Sequence, residues 1–136
     1  MLNRLFIIAT LIASTSGKAV ELECKVVKKI SSDRDYTAAD IAKEQPSVRV
    51  QETAAGTTVS RCGLAPSVGK VTCDEYKIDH IETSVRSNIT TLKEEKIKKF
   101  YLYRAQFDVQ IFPDFSFIEN NGRGTISFGV CSLAAP

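Results

Sequence analysis

The chain reads as all-β: a small antiparallel β-barrel of about seven to eight strands with one short helix, a two-sheet β-sandwich being the alternative. Three observations carry this. The hydropathy of the longest patterned stretches alternates with period 2, not 3.6. Turn-forming strings at Ala54-Ala55-Gly56, Ala65–Gly69, Pro113-Asp114 and Asn121-Gly122 divide those stretches. All four cysteines, Cys24, Cys62, Cys73 and Cys131, lie downstream of a segment that reads as a secretory signal, which points to a disulfide framework.

That signal spans residues 1–19: Arg4 in a short basic start, an apolar run from Leu5 to Ala13, then small residues up to Gly17 and Ala19. The run is shorter than the roughly 20 residues a bilayer requires, so no transmembrane segment is expected in the mature chain. Cys24 follows Val-Glu-Leu-Glu and not a lipobox, which argues against a lipid anchor. Cleavage after Ala19 leaves one domain, 20–136, of 117 of the 136 residues, and a periplasmic or secreted location is expected. Removing Arg4 and Lys18 takes the count from 18 basic and 16 acidic residues to 16 of each, and the net charge from +2 to 0. A balanced chain lacks the basic footprint of a nucleic-acid binder, so no nucleic acid is expected.

The first strand is expected over Val20–Ile30, with Val20, Leu22, Cys24 and Val26 on one face. Thr37-Ala38-Ala39-Asp40 resembles a capping box with Asp in place of Glu, and Pro46 bars continuation, so one or two helical turns are expected around Ala38–Glu44. Ser47–Thr53 and Thr57–Gly63 flank the Ala-Ala-Gly turn in a register that puts Val48, Val50 and Val59 on one face. Centring the next hairpin between Ser67 and Val68 sets Cys62 opposite Cys73, Leu64 opposite Val71 and Arg61 opposite Asp74. The preferred disulfides are therefore Cys62–Cys73 and Cys24–Cys131. The polar stretch Ser84–Glu95 reads as a loop, with a helical turn near Leu92–Lys96.

From Ile97 to Ile111 the odd positions, with Tyr101, Tyr103, Phe107 and Val109, alternate with polar even positions, which predicts one long strand over 96–112. Phe100 and Leu102 interrupt its polar face. A two-residue type I′ turn at Asn121-Gly122 sets Phe117 opposite Ile126 and Phe115 opposite Phe128, giving strands over 115–120 and 123–133. Tyr101, Tyr103, Phe107, Phe115, Phe117 and Phe128 then share the inward face, as packed core or as a cavity lining. The pattern broadly resembles small exported β-barrels of the calycin or lysozyme-inhibitor kind, which implies a meander architecture and assigns no activity.

Candidate chemistry is sparse. His80 beside Asp79 is the arrangement of a general base or a metal ligand, but with no second histidine it reads as a strand end beside a surface acid. Asp108, Asp114 and Glu119 are an acid set in principle for glycoside hydrolysis, and read more simply as wet face and turns. Four paired cysteines leave no thiolate nucleophile, and no Gly-x-Ser-x-Gly elbow is present. Asn88-Ile89-Thr90 matches a glycosylation acceptor, relevant only in a eukaryotic source. The most distinctive string, Glu119 to Gly124, offers Asn120, Asn121 and Arg123 as loop contacts, with Arg61 and Asp74 as a second surface pair. No catalytic site, metal or cofactor is expected. The expected role is non-catalytic binding of a protein or envelope component through the loops; the alternative is a small hydrophobic-ligand carrier using the barrel interior.

Overall fold

The computed structural model describes residues 19–135, so residues 1–18 of the expected signal lie outside the described residues. Nine strands form a single antiparallel sheet: β1 Val20–Ser31, β2 Ser47–Thr53, β3 Gly56–Ala65, β4 Lys70–Lys77, β5 His80–Asn88, β6 Lys93–Leu102, β7 Phe107–Ile111, β8 Ser116–Asn120 and β9 Thr125–Leu133. Among the described residues one short α-helix, α1, spans Ala38–Glu44. The strand order β4-β3-β2-β1-β9-β8-β7-β6-β5 is a meander closed through β1 and β9, and it curls into a half-barrel. No described helix is long and apolar enough to cross a membrane.

The curl closes at one point. β4 and β5 end the sheet on opposite sides, yet only Ile78 and Asp79 separate them in sequence. Ile78 N–H donates to Thr57 O of β3 at 3.0 Å, and Asp79 N–H donates to Tyr101 O of β6 at 2.9 Å. A ring of partners leaves β1 at Val20, passes Glu52, Thr57, Ile78–Asp79, Tyr101, Asp108, Asn120 and Ile126, and returns to β1 at Ile30. That displacement along β1 is the stagger that closing a sheet demands. Away from this point β4 and β5 part without pairing, leaving the β3–β4 and β5–β6 hairpins as two diverging arms.

The core fills the inside of the curl. Leu22, Cys24 and Val26 of β1, Val48 and Val50 of β2, Val59 of β3, Phe100 of β6, Phe107, Val109 and Ile111 of β7, Phe117 of β8 and Cys131 of β9 are buried in one cluster. Both expected disulfides form. Cys24–Cys131 joins directly opposed residues of β1 and β9, 107 positions apart, and Cys62–Cys73 joins β3 to β4, 11 apart. The expected registers of β2–β3 and β3–β4 hold, with Val50 opposite Val59 and Arg61 opposite Asp74. The capping box holds too: Asp40 N–H donates to Thr37 Oγ1 at 3.2 Å, and Thr37 N–H donates to Asp40 Oδ2 at 2.8 Å.

Several expectations are corrected. The single strand over 96–112 is two strands, β6 and β7, reversing through a 3₁₀ turn at Tyr103–Ala105 with Gln106 left-handed. The reversal switches the inward parity from even to odd, so Phe100 is core and Tyr101 and Tyr103 lie on the outer face. The loop expected over Ser84–Glu95 is mostly β5 and β6 with a tight turn between them: an unbroken ladder from Ile81–Phe100 to Asn88–Lys93 pairs the two polar segments although both faces there stay largely exposed, so no hydropathy pattern marks them. The Asn121-Gly122 hairpin pairs Phe117 with Gly129 and Ile118 with Phe128, not Phe117 with Ile126. Here Asn121 closes on Thr125 around Gly122-Arg123-Gly124, and both glycines take positive φ. A Cβ on Gly122 would run into the carbonyl oxygens of Ala105 and Gln106, so close packing on the β6–β7 turn selects the longer loop. Finally, Phe115 is a left-handed turn residue on the surface and Phe128 is on the outer face, so neither shares the core with Phe117.

Candidate functional site

A β-bulge builds one side of a cleft that holds two of the sequence-marked residues, Arg61 and Glu119. The register of β1 against β9 slips between Val26 and Lys28, which throws Val27 outward and turns Lys29 inward, opposite Ser127. Ser127 in turn lies opposite Glu119 of β8. Across the curl, β3 carries Val59 and Arg61 on its inward face. Helix α1 covers the open end, and the left-handed Gln45 with Pro46 stops it so that Glu44 overhangs Gly63. The result is an open cleft of about 350 Å³, in which Lys29, Glu44, Arg61, Glu119 and Ser127 share the wall with Val26, Pro46, Leu64 and Pro66.

Two ion pairs organise it. Arg61 Nε donates to Glu119 Oε1 across the interior, with the Glu119 side chain 5 % exposed and that of Arg61 35 % exposed. The Arg61 guanidinium also sits 5.3 Å from the centre of the Phe107 ring. Lys29 Nζ donates to Glu44 Oε2 at 3.0 Å, and Arg34 approaches the other oxygen of Glu44 at 3.7 Å. Both of those cations lie over the Tyr36 ring, at 4.2 and 4.1 Å. A hydrogen bond with Tyr36, together with the nearby Asp40 and Glu44 carboxylates, holds the Arg34 pKa above its ordinary value despite desolvation. Every buried side-chain nitrogen and oxygen among the described residues has a hydrogen-bond partner.

The cleft is thus charged but internally balanced. Ser127 lies between Lys29 and Glu119, yet Lys29 is turned to Glu44 and Glu119 to Arg61, so neither acts on its hydroxyl. Arg61 uses its Nε toward Glu119, which leaves the planar Nη end of a cation in the cleft wall. That end suits a carboxylate or another planar acceptor.

The residues singled out in the sequence scatter. Arg61 lines the cleft, and its partner is Glu119 rather than Asp74, which stays exposed on β4. Glu119 itself is not on a wet face: two residues from Phe117, it shares that residue's inward face of β8 and is buried. Asn120 and Asn121 are occupied with turn formation. Asn120 Oδ1 accepts from Gly122 N at 3.0 Å, and Asn121 Oδ1 accepts from Arg123 N at 2.7 Å and Thr125 N at 3.1 Å. Arg123 is exposed on that turn. Asp108 pairs with Lys99 at 3.6 Å, while Asp114 accepts from Ser116 N and Oγ at 3.0 and 2.6 Å, which holds its carboxyl below the usual range.

His80 is elsewhere, at the start of β5 on the outer face. Its ring lies 5.9 Å from Tyr101 and 6.2 Å from Tyr103, and those two are 5.9 Å apart. The planes are within 28° of one another, and near-equal spacing means no ring is sandwiched between the other two. Asp79 accepts the backbone N–H of Tyr103 at 2.9 Å and is not partnered with the imidazole. Glu82 accepts from the Tyr101 hydroxyl at 2.9 Å and thereby raises its pKa. No group of three or more His, Cys, Asp or Glu among the described residues is placed to hold a metal ion. Lys29 and Glu44 carry no mark in the sequence pattern: the bulge shifts the inward phase of β1 from even to odd positions, and the residue it turns inward is a lysine that reads as wet face. No protein-family model, curated protein sequence or solved structure matches this chain.

Proposed function

We propose that this is an exported, non-catalytic binding protein that grips a polar, acceptor-bearing segment of a protein or envelope component in the cleft between α1, β3 and β8. The observation that carries the reading is Arg61: a guanidinium fixed by a buried carboxylate, over an aromatic ring, and still one-third exposed in an open cleft. Preorganisation of this kind spares the ordering cost of a long side chain on binding. The two disulfides are consistent with an oxidising compartment. The carrier alternative has less support, because its expected lining is split: Phe107 and Phe117 are packed in the core, and Tyr101 and Tyr103 lie outside.

A photo-cross-linking side chain placed at Leu64, in the cleft wall, and at Ala54, on the β2–β3 turn away from it, tests this in intact cells. Adducts of one defined mass from position 64 and none from position 54 are expected. Equal labelling from both positions, or none from either, overturns the reading.

A further inference from the structure

We infer that the free edge of β5 is a self-association surface, at which two copies pair antiparallel about a two-fold axis through Ser84 and extend both sheets into one. β5 ends the strand order, and no described strand pairs with its outer side. An unpaired edge of nine residues is a template for another strand unless something blunts it. The strand HIETSVRSN carries no proline and no bulge against β6, the two devices that would deny a partner its backbone ladder.

The side chains select the partner. Two-fold antiparallel pairing preserves the face of each residue, so allowed registers differ by two residues. Centred on Ser84, Glu82 of each copy faces Arg86 of the other, Thr83 faces Val85, Ile81 faces Ser87 and His80 faces Asn88. A shift of two residues either way leaves both charges opposite neutral residues or His80. A shift of four sets Glu82 against Glu82 or Arg86 against Arg86, which is unfavourable. The register with full overlap is therefore the one that matches charges twice. Both side chains are anchored and available: Glu82 accepts from Tyr101 Oη, and Arg86 gives one Nη2 bond to Glu95 at 3.1 Å while its side chain stays 65 % exposed.

The same register disposes of two exposed apolar features. Ile89 and Leu92 at the β5–β6 tip are 91 % and 89 % exposed, and Tyr103 in the aromatic cluster is 61 % exposed. They stand at opposite ends of β5. With Asn88 of one copy facing His80 of the other, the Ile89–Leu92 tip is carried alongside the His80–Tyr101–Tyr103 cluster. A two-fold operation makes this contact twice, as an isologous interface requires. The interface is small, so micromolar or weaker association is expected. This inference stands apart from the cleft, which lies on other strands.

Sedimentation of the native protein from about 5 to about 500 μM at low ionic strength, the range in which small interfaces report, is the test. A concentration-dependent dimer is expected. Glu82→Lys sets an ammonium against Arg86 of the other copy, and Arg86→Glu sets a second carboxylate against Glu82. Each variant alone should therefore be monomeric with an unchanged circular-dichroism spectrum. An equimolar mixture should dimerise again, since each mixed pair then joins opposite charges. A wild type that stays monomeric throughout, either variant remaining dimeric alone, or a mixture of folded variants that fails to associate overturns the proposal. Should Arg86→Glu misfold through its loss of Glu95, the mixture of Glu82→Lys with the double variant Arg86→Glu, Glu95→Arg, which keeps that cross-strand pair with its charges exchanged, gives the same readout.

Discussion

Glu119 of β8 and Arg61 of β3 are bonded across the inside of the sheet, although β2, β1 and β9 separate their strands in the sheet order. A second cross-interior pair, Lys98 of β6 with Glu52 of β2 at 2.6 Å, spans β1, β9, β8 and β7. The two pairs tie together walls that backbone hydrogen bonds join the long way round the sheet and, by the short way, only through Ile78 and Asp79. The apolar cluster supplies the bulk of the driving force; the pairs fix how far the curl opens.

The Arg61–Glu119 pair predicts an asymmetry. Arg61→Ala strands a carboxylate that is nearly fully buried, at a cost of about 3 kcal/mol. Glu119→Ala leaves a guanidinium that can turn to water, at about 1 kcal/mol. Urea unfolding of both variants checks this, and equal costs contradict a pair anchored on the buried acid. Arg61→Met with Glu119→Leu should recover part of the loss.

Gly129 predicts a steric failure. It faces Phe117 across β8–β9 and lies against β1 at the bulge, where a Cβ would collide with the Lys25 carbonyl oxygen and come within 2.5 Å of a Phe117 ring carbon. Both obstacles are fixed, one by the β1–β9 ladder and one by the core. Gly129→Ala should cost about 2–3 kcal/mol by thermal unfolding, and a loss below about 1 kcal/mol contradicts the close approach.

The disulfides should contribute unequally. On the chain-entropy model, opening the 107-residue loop removes about 4–5 kcal/mol and opening the 11-residue loop about 3 kcal/mol. Cys24 and Cys131 are also buried in the core, whereas Cys62 and Cys73 sit on the β3–β4 arm. Replacing Cys62 and Cys73 with serine should lower Tm yet leave a cooperative transition; replacing Cys24 and Cys131 should abolish it.

Acid should loosen the β5–β6 tip. The Asn88 side-chain amide, then Arg86, hold the Glu95 carboxyl below its ordinary value. A carboxyl depressed by folding contributes stability above its unfolded pKa, about 4.3, and loses it as pH falls through the folded value. Thr90 and Thr91 N–H groups, both bonded to Asn88 Oδ1, report on the tip. Their exchange protection, corrected for intrinsic rates, should drop below pH of about 4 in the wild type and be insensitive there in Glu95→Gln.

What can be read from residues alone depends on whether two independent signals agree. Around Cys62–Cys73, turn chemistry, cysteine pairing and the Arg61–Asp74 match all choose one register, and the hairpin has it. At Asn121-Gly122 the dipeptide preference stands alone, and tertiary contact of Gly122 with the β6–β7 turn overrides it. Between Phe100 and Phe107 an aromatic residue at most odd positions hides the reversal: Tyr101 and Tyr103 continue the inward pattern in sequence while lying outside it in space. The cleft is the least legible feature. Its ion pairs join residues from α1, β1, β3 and β8 that are distant in sequence, and the inward turn of Lys29 depends on a bulge at Val27 that no local pattern announces.

The most direct measurement is a set of interstrand nuclear Overhauser contacts in the oxidised protein. Continuous backbone contacts along β1–β9 through Cys24 and Cys131 are expected, with contacts from Ile78 to Thr57 and from Asp79 to Tyr101, and none linking Thr72 or Asp74 to Thr83 or Val85. A continuous β4–β5 ladder, or no β1–β9 contacts, would show a differently closed sheet and contradict the half-barrel.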